Sequence, residues 1–504
     1  MKHAQNIKSK ALFLLIIFNT NVAIGSIEIK QDWGEGTANF SNAQPLNNSN
    51  GQYDHWQSIG RVKINNGLTC SGALIDTRST TDEQDGPAYV LTSGHCANLN
   101  PNTVLENVDT TGQVTFNYFQ DTEGDAKSYA VTKINWSTIR GQDITIVQLD
   151  RTIGQLINDG VFPLKPATHL PAETDVLIVG APQNAYIQRI ACPREDQAGI
   201  IENQWAWQDQ MSNRCLDVVG GISGSPVLGR YTNEIFAIVG TSTRGSGKSR
   251  CKRDAPCEVA DGQVSKKADT NYATQAIGLL ECFSEGQFAR MNVACPLGPA
   301  FTFTEDEPTD LYIKVERDQS GQVIPWLWSQ TFSVDRDFYR YKYTRTLEEC
   351  VATENYSAPV ASNSGDKDNL RRELRDGAGM YLLCIIGQDQ KAATPGQWDG
   401  RNAKIYWRWM LEGPSELPPE YSITLFKDDP YVIKPITVSP DLAGKYQYKT
   451  GPQVETDCLD QRSYENVTGG LFVVSVKEGP MKVCLKTEDL AGNPSSVVDF
   501  QLPE

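Results

Sequence analysis

Between about residue 56 and residue 283 the chain repeats one pattern, in which short apolar runs are separated by Gly, Asn, Asp and Pro. Examples are residues 60–64, 147–149, 175–179 and 235–239. Runs of this length between turn formers are typical of β-strands. Helical periodicity is visible only in residues 276–290. The pattern therefore predicts an all-β region, built as a barrel or a sandwich.

A second pattern repeats after a Pro- and acid-rich linker that begins at residue 296. An alternating aromatic strand precedes Cys350 and an apolar strand carries Cys384; the same order recurs with Cys458 and Cys484. The repeat is about 100 residues long, the usual size of one β-sandwich. We therefore predict two sandwich domains, residues 296–412 and 413–504, bridged by Cys350–Cys384 and Cys458–Cys484. The ending 489–493 resembles that of bacterial immunoglobulin-like domains.

The N-terminal residues are typical of a secretory signal peptide. Lys2, Lys8 and Lys10 precede an apolar run, residues 11–18, and a small-x-small pattern ends at Gly25. A basic front, a short apolar run and small residues at a cleavage site define such signals. We predict a signal peptide at residues 1–25. Residues 26–56 are rich in Asn, Gly, Gln and Ser without a period, which predicts a linker or propeptide.

Composition excludes several partners. The net charge of −16 disfavours binding to nucleic acid or anionic lipid. After the signal peptide we expect no membrane span. The 12 cysteines fit an oxidising compartment, so a secreted, extracellular or periplasmic protein is expected. With 4 histidines and no C-x-x-C pair, no structural metal is expected.

Four short motifs bring together residues that nucleophilic catalysis uses. They are residues 70–75 (CSGALI), 90–96 (VLTSGHC), 141–149 (GQDITIVQL) and 220–226 (GGISGSP). Glycines around Ser223 permit a tight turn that exposes its hydroxyl and aims backbone N–H groups at one point. His95 adjoins a cysteine, and Asp143 opens an alternating apolar strand, which would point its carboxylate inward.

In this order the four motifs resemble the trypsin/chymotrypsin-like serine peptidases, in the bacterial Gly-x-Ser-Gly-Ser-Pro form. The resemblance covers roughly residues 57–285, within a peptidase domain predicted at residues 57–295, and implies a chymotrypsin-like double β-barrel. It implies that Ser223 is the nucleophile, that His95 is the general base and that Asp143 orients the histidine. The N–H groups of Gly221 and Ser223 would form the oxyanion hole. The substrate would be a protein or peptide, and no cofactor is implied.

Two departures leave alternatives open. Ile222 stands where activatable trypsins carry the aspartate that pairs with a new N-terminus, so maturation takes another route, or the chain is an inactive homologue that acts as a binding or adhesion protein. Asp217 lies six residues before Ser223. It either selects Arg or Lys in the primary pocket or is structural. Ser242 is expected to offer its backbone to the substrate.

Other assignments remain alternatives as well. Asp150 is the rival to Asp143, and an esterase using the same triad is the rival to a peptidase. A bridge between Cys70 and Cys96 is expected beside the histidine. The remaining cysteines of the peptidase region allow several pairings; one set is Cys192–Cys215, Cys251–Cys257 and Cys282–Cys295, with Cys215–Cys251 as a rival link.

The C-terminal domains are expected to serve as a spacer or to dock to a surface or glycan. Five tryptophans there could stack on sugar rings or fill the sandwich cores. They are Trp326, Trp328, Trp398, Trp407 and Trp409.

Overall fold

The structure is a computed structural model that describes residues 30–503, except 66, 248, 293, 306–310, 364–366, 416–418, 426–429 and 437–442. The predicted signal peptide lies outside the described residues. Within them, no helix has both the length and the apolar character needed to cross a membrane.

The first part of the chain forms a closed barrel. The short strand β1 (Gln44–Pro45) precedes the barrel and is not part of it. The barrel strands are β2 (Ile59–Ile64), β3 (Thr69–Ile75), β4 (Pro87–Thr92), β5 (Leu105–Phe116), β6 (Lys127–Thr138) and β7 (Ile144–Thr152), and α1 (Ile153–Asn158) follows them. Strands β2 to β7 close in the order β2-β3-β4-β7-β6-β5. Short 3-10 turns lie at Asp54–Trp56, Gly94–Cys96 and Glu123–Asp125.

A second sheet follows. Its strands and those of a short hairpin after it are β8 (Asp175–Gly180), β9 (Gln188–Glu202), β10 (Trp205–Asn213), β11 (Pro226–Gly229), β12 (Ile235–Ser242), β13 (Cys257–Ala260), β14 (Gln263–Ser265), β15 (Asn271–Gln275), β16 (Phe283–Ser284) and β17 (Gln287–Phe288). The order β10-β15-β12-β11-β8-β9 closes on itself because β9 also pairs with β10. The chain therefore forms two six-stranded barrels in succession.

Apolar residues that alternate along these strands fill three cores. Val62, Leu74 and Val114 belong to the core of the first barrel. Ile178 and Val227 belong to the core of the second barrel. A third core joins residues of both barrels, because the opposite faces of several strands are also apolar. The packing fixes the two barrels against each other, which is what a site between them requires.

The expected helical period at residues 276–290 does not produce an α-helix. These residues form a 3-10 turn, Leu279–Cys282, and the hairpin of β16 and β17. Gly278 has a φ of 73° and Gly286 one of 69°, both in the left-handed region, and the two glycines interrupt a helix there.

Residues 30–56, for which a linker or propeptide is expected, pack against both barrels. Asp32 accepts two hydrogen bonds from the guanidinium of Arg230, at 2.8 and 2.9 Å. Strand β1 pairs with β9, and Leu46 and Trp56 are buried.

Two further units follow, named here the first C-terminal unit (residues 301–411) and the second C-terminal unit (residues 419–503). The first contains β18 (Phe303–Glu305), β19 (Tyr312–Lys314), β20 (Trp326–Val334), β21 (Phe338–Thr344), α2 (Glu348–Val351), β22 (Val360–Ala361), β23 (Asp368–Leu374), β24 (Gly379–Gln388), a 3-10 turn (Asp399–Asn402) and β25 (Lys404–Leu411). The second contains β26 (Glu420–Leu425), β27 (Tyr431–Ile436), β28 (Ala443–Pro452), β29 (Glu465–Asn466), β30 (Phe472–Val474), β31 (Met481–Asp489) and β32 (Val498–Leu502).

Each C-terminal unit is made of two sheets with apolar residues between them. The first pairs β18-β20-β23 with β19-β25-β24-β21-β22, and the second pairs β26-β27-β30 with β29-β28-β31-β32. The predicted fold class, an all-β chain with a double barrel followed by two sandwiches, is confirmed. Among the tryptophans considered for sugar stacking, Trp328, Trp407 and Trp409 are buried in the core of the first unit.

Six disulfides join the cysteines. The pairs are Cys70–Cys96, Cys192–Cys215, Cys251–Cys257, Cys282–Cys295, Cys350–Cys384 and Cys458–Cys484. They are the pairs named from the sequence, and the rival link Cys215–Cys251 is absent from the described residues.

Candidate active site

His95 lies in the 3-10 turn that follows β4, at the junction of the two barrels. The turn is tightly fitted, because a Cβ on Gly94 would lie 1.9 Å from the carbonyl oxygen of Thr138. The hydroxyl of Ser93 donates to the carbonyl of Val239 in the second barrel, at 2.7 Å. The Cys70–Cys96 disulfide ties the same turn to β3. His95 is thus held from both barrels.

Asp143 is fully buried, and both of its carboxylate oxygens contact His95. Its Oδ2 lies 2.8 Å from His95 Nδ1, and its Oδ1 accepts a hydrogen bond from the backbone N–H of His95, also at 2.8 Å. A Cβ on Gly240 would lie 3.0 Å from Asp143 Oδ2, so a glycine lets β12 pass beside the carboxylate. The rival Asp150 is exposed and pairs with Arg151.

The surroundings of His95 favour its protonated form. Burial alone would lower the pKa of the imidazole, but the adjacent carboxylate of Asp143, with a smaller contribution from Glu202, outweighs burial and raises that pKa. The hydrogen bond to Asp143 also keeps the proton of a neutral imidazole on Nδ1, which leaves Nε2 free to accept one.

Ser223 lines the same cleft as His95. Its hydroxyl donates to the carbonyl of Gly240 at 3.4 Å. Ser223 Oγ and His95 are thus not hydrogen-bonded to each other; in enzymes, hydrogen bonds between catalytic groups often form only when a substrate binds.

The turn around Ser223 presents free backbone donors. Gly221 and Gly224 have φ values of 89° and 81°, which a residue with a side chain adopts only with strain. Within the described part of the chain, the N–H groups of Gly221 and Ser223 donate to no protein atom, whereas that of Gly224 donates to Val239 at 2.7 Å. Ile222 is buried in the core of the second barrel, so apolar packing anchors the turn.

Ser71 supports this turn and was missed in the sequence analysis. Its backbone N–H donates to the carbonyl of Ser223 at 2.8 Å, and its hydroxyl donates to the carbonyl of Gly221 at 2.9 Å. The same hydroxyl accepts from the N–H of Ala181 at 3.0 Å. The only signal in the sequence is a polar residue, Ser71, in a predicted apolar strand and next to Cys70.

Neither of the two candidate specificity residues is among those that line the cleft. Asp217 accepts a hydrogen bond from the backbone N–H of Ala43 at 2.7 Å, and it is not among the residues that line the cleft. The hydroxyl of Ser242 donates to Asn271 Oδ1 at 2.7 Å, while its backbone pairs with β15 on one side. Gly240 and Thr241, just before Ser242, do line the cleft.

The cleft has a volume of about 450 Å³ and contains an acid that the sequence analysis missed. Glu202 lies at the end of β9, and Trp205 and Trp207 follow at the start of β10. The signal that could have identified it is the pattern of two isoleucines, a glutamate, a two-residue turn and two tryptophans (residues 200–207). A glutamate that continues an apolar run is a candidate for burial.

Among known proteins, matches to this chain are found with solved structures. No family model matches the chain, and no curated protein matches it. A thermostable serine protease, AL20, from an extremophilic microorganism is 14% identical with a TM-score of 0.30, covering 44% of this chain and 92% of its own. The active form of the Rv3671c protease of M. tuberculosis is 16% identical with a TM-score of 0.29, covering 48% and 86%.

A third solved structure is the protease Anisep of Arthrobacter nicotinovorans, at 14% identity and a TM-score of 0.28, covering 44% of this chain and 90% of its own. All three are similar to less than half of the chain. The assignment of the double-barrel fold rests on the strand pairing described above.

Proposed function

We propose that the chain is a serine endopeptidase that hydrolyses peptide bonds through an acyl-enzyme. The observation that carries this proposal is the pair of 2.8 Å contacts from the buried Asp143 to His95, in the cleft that also holds Ser223. A buried carboxylate whose two oxygens both contact one histidine holds the imidazole in the orientation and tautomer that accept a proton from a serine hydroxyl.

In the proposed reaction, Ser223 Oγ attacks the carbonyl carbon of the scissile bond while His95 Nε2 takes the hydroxyl proton. Asp143 stabilises the imidazolium that results. The imidazolium then gives its proton to the leaving amine, which departs with the C-terminal fragment. Water hydrolyses the acyl-enzyme by the same route in reverse, and no cofactor takes part.

The free N–H groups of Gly221 and Ser223 are the donors proposed for the oxyanion. Ser71 holds their turn by its two bonds to the carbonyls of Gly221 and Ser223. Residues 240–242 are the proposed docking edge for substrate, because they pair with β15 on one side while Gly240 and Thr241 line the cleft. An extended peptide added to such an edge gains backbone hydrogen bonds.

Export through a signal peptide at residues 1–25 is also part of the proposal, and the six disulfides support it. Residues 57–295 are proposed as the peptidase domain. The Arg/Lys preference assigned to Asp217 stays a prediction that its bond to Ala43 does not favour.

The proposal is tested with a quenched fluorescent peptide library, a protein substrate and a small ester. We expect the full chain to cleave peptides, and Ser223→Ala to lower the rate by at least about 10⁴-fold. Ser79→Ala, which changes an exposed serine, is the matched control and should retain full activity. Ester cleavage without peptide cleavage would favour an esterase, and no hydrolysis by the folded protein would favour a binding protein.

A further inference from the structure

Residues 30–56, named here the N-terminal segment, take no part in the proposed reaction, although they are built into the double barrel. The buried guanidinium of Arg189, 4% exposed, donates to the hydroxyl of Thr37 at 2.9 Å and to the carbonyl of Trp33 at 3.3 Å. Trp56 is fully buried in the core that joins the two barrels. Loss of the segment would deprive the guanidinium of these partners and expose apolar surface, and both changes cost free energy.

One backbone group of this segment reaches the loop that precedes the turn around Ser223. The N–H of Ala43 donates to Oδ2 of Asp217 at 2.7 Å, although the two residues are 174 positions apart in the sequence. Ala43 also packs against the core of the second barrel, to which Ile222 belongs. The N-terminal segment therefore contacts this loop both through a hydrogen bond and through apolar packing.

The middle of the loop from Asp217 to Gly221 is exposed. Val219 is 52% exposed, and a Cβ on Gly220 would meet no atom of the described residues within 4 Å. The carbonyl of Gly220 accepts a hydrogen bond from the N–H of Gln183 at 3.1 Å. The bond at Asp217 fixes the other end of the loop. Gly221, where the loop ends, supplies one of the N–H groups proposed for the oxyanion.

A displacement of this loop would move an oxyanion donor, and small displacements of catalytic groups lower reaction rates strongly. We propose that the N-terminal segment is retained in the active protein and that Asp217 is a positioning residue, which fixes the oxyanion turn through its bond to Ala43. The inference rests on the proposed peptidase function. It gives Asp217 a part in the chemical step instead of the choice of substrate side chain. It also makes the N-terminal segment a support of the site and not a propeptide that is released.

Two variants remove the bond, one from each partner. Asp217→Gly removes the acceptor, and glycine suits the φ of 56° at this position. Ala43→Pro removes the N–H donor. We expect each variant to lower kcat and the rate of reaction with a fluorophosphonate by about tenfold or more, with KM changed by less than about threefold, because oxyanion donors act in the transition state. The double variant should lose no more than either single variant, since both changes act on one bond.

Asp217→Asn and Asp261→Gly are the matched controls. The amide oxygen of asparagine can still accept from Ala43, so Asp217→Asn should restore most of the rate that Asp217→Gly loses. Asp261 is exposed, has a φ of 49° and is not among the residues that line the cleft. Asp261→Gly thus repeats the substitution without the bond and should react at the rate of the full chain. If Asp217→Gly does not fold, Ala43→Pro makes the same test.

Retention of the segment is tested without any substitution. N-terminal sequencing of the purified active protein should give a first residue before Asp32, and an active protein that begins later would overturn the inference. Unchanged kcat in both Asp217→Gly and Ala43→Pro would also overturn it. So would a loss shared by Asp217→Gly and Asp217→Asn and confined to peptides with Lys or Arg before the scissile bond. Failure of the peptidase proposal is distinct, since the full chain would then react with neither the fluorophosphonate nor any peptide.

Discussion

The two C-terminal units share an internal design. In each, a lysine of an aromatic strand lies opposite the cysteine of the neighbouring strand: Lys342 opposite Cys384, and Lys449 opposite Cys484. Each lysine amine donates to two backbone carbonyls of the loop that carries the other cysteine. Each loop also contains a tyrosine whose hydroxyl donates to the carbonyl of that cysteine at 2.8 Å.

The units differ in how they join the rest of the molecule. The core of the first unit continues into the second barrel, where it includes Ile201, Ala206 and Val259. The second unit has a small core of its own. It contacts the first through residues next to the connection, among them Asn493, which donates to the carbonyl of Leu411 at 3.1 Å.

The first unit also contacts the residues that lead directly to Asp143. The guanidinium of Arg140 donates to the carbonyl of Phe301 at 2.7 Å. A Cβ on Gly141 would lie 2.0 Å from the carbonyl oxygen of Arg401. The two similar sandwiches thus differ in their contacts: the first packs against the double barrel next to Asp143, whereas the second is joined to the first. The residues at their contact surfaces, and not the motif that the two units share, determine how each unit joins the rest of the molecule.

Truncation of the chain is expected to give the largest difference between the two C-terminal units. A chain that ends after Cys295 exposes the shared core and frees the loop before Asp143. Its reaction with a fluorophosphonate should slow by at least about 100-fold, because small displacements of catalytic groups have effects of this size. A chain that ends after Glu412 should react like the full chain. Equal reactivity of both truncated chains would contradict the distinction between the units.

Substitution of one glycine tests the contact itself. Gly141 has a φ of 70° and no space for a side chain. We expect Gly141→Ala to lower the free energy of unfolding by about 3 kcal/mol or more, through backbone strain and collision with Arg401. Gly278→Ala is the control, since φ there is 73° but no atom lies within 4 Å. It should lose only about 1 kcal/mol. Equal losses in the denaturant melts would show that the contact is unimportant.

The two tyrosines give a matched pair of smaller changes. Tyr356→Phe and Tyr464→Phe each remove a hydroxyl that donates at 2.8 Å, for an expected loss of about 1 kcal/mol each. The transition that changes should differ, however. Tyr356→Phe should lower the melting temperature at which the double barrel and the first unit unfold together, whereas Tyr464→Phe should lower only a separate transition of the second unit. Calorimetry of both variants distinguishes the two outcomes.

The pH profile should be the same with and without the second unit. The charged groups that act on His95 are Asp143, Glu202 and Arg253, all in the double barrel. Since the pKa of His95 is raised from 6.5, and the neutral form is the base, kcat/KM should fall as the pH drops through a value above 6.5. If the acid limb of the pH profile is shifted in the chain that ends after Glu412, the second unit influences the site.

The sequence predicted the fold, and it named three candidate triad residues, of which the structure places His95 beside Asp143 and in the cleft that Ser223 lines. Both predictions rest on local signals. Alternating apolar strands, glycine-bounded turns and cysteine spacing are visible in short stretches, and they locate His95, Asp143 and Ser223. Ser71, Glu202 and the contact of Gly141 with Arg401 depend on residues far apart in the sequence. Asp217 illustrates the same limit, because its spacing to Ser223 suggested a pocket whereas its partner, Ala43, comes from the N-terminal segment.

The most direct test of the proposed chemistry is the reaction of the folded full-length protein with a fluorophosphonate, followed by peptide mapping of the adduct. We expect one adduct, on Ser223, that is absent in Ser223→Ala and forms far more slowly in His95→Ala. A folded protein that forms no adduct, or forms it on another serine, would contradict a catalytic triad of Ser223, His95 and Asp143.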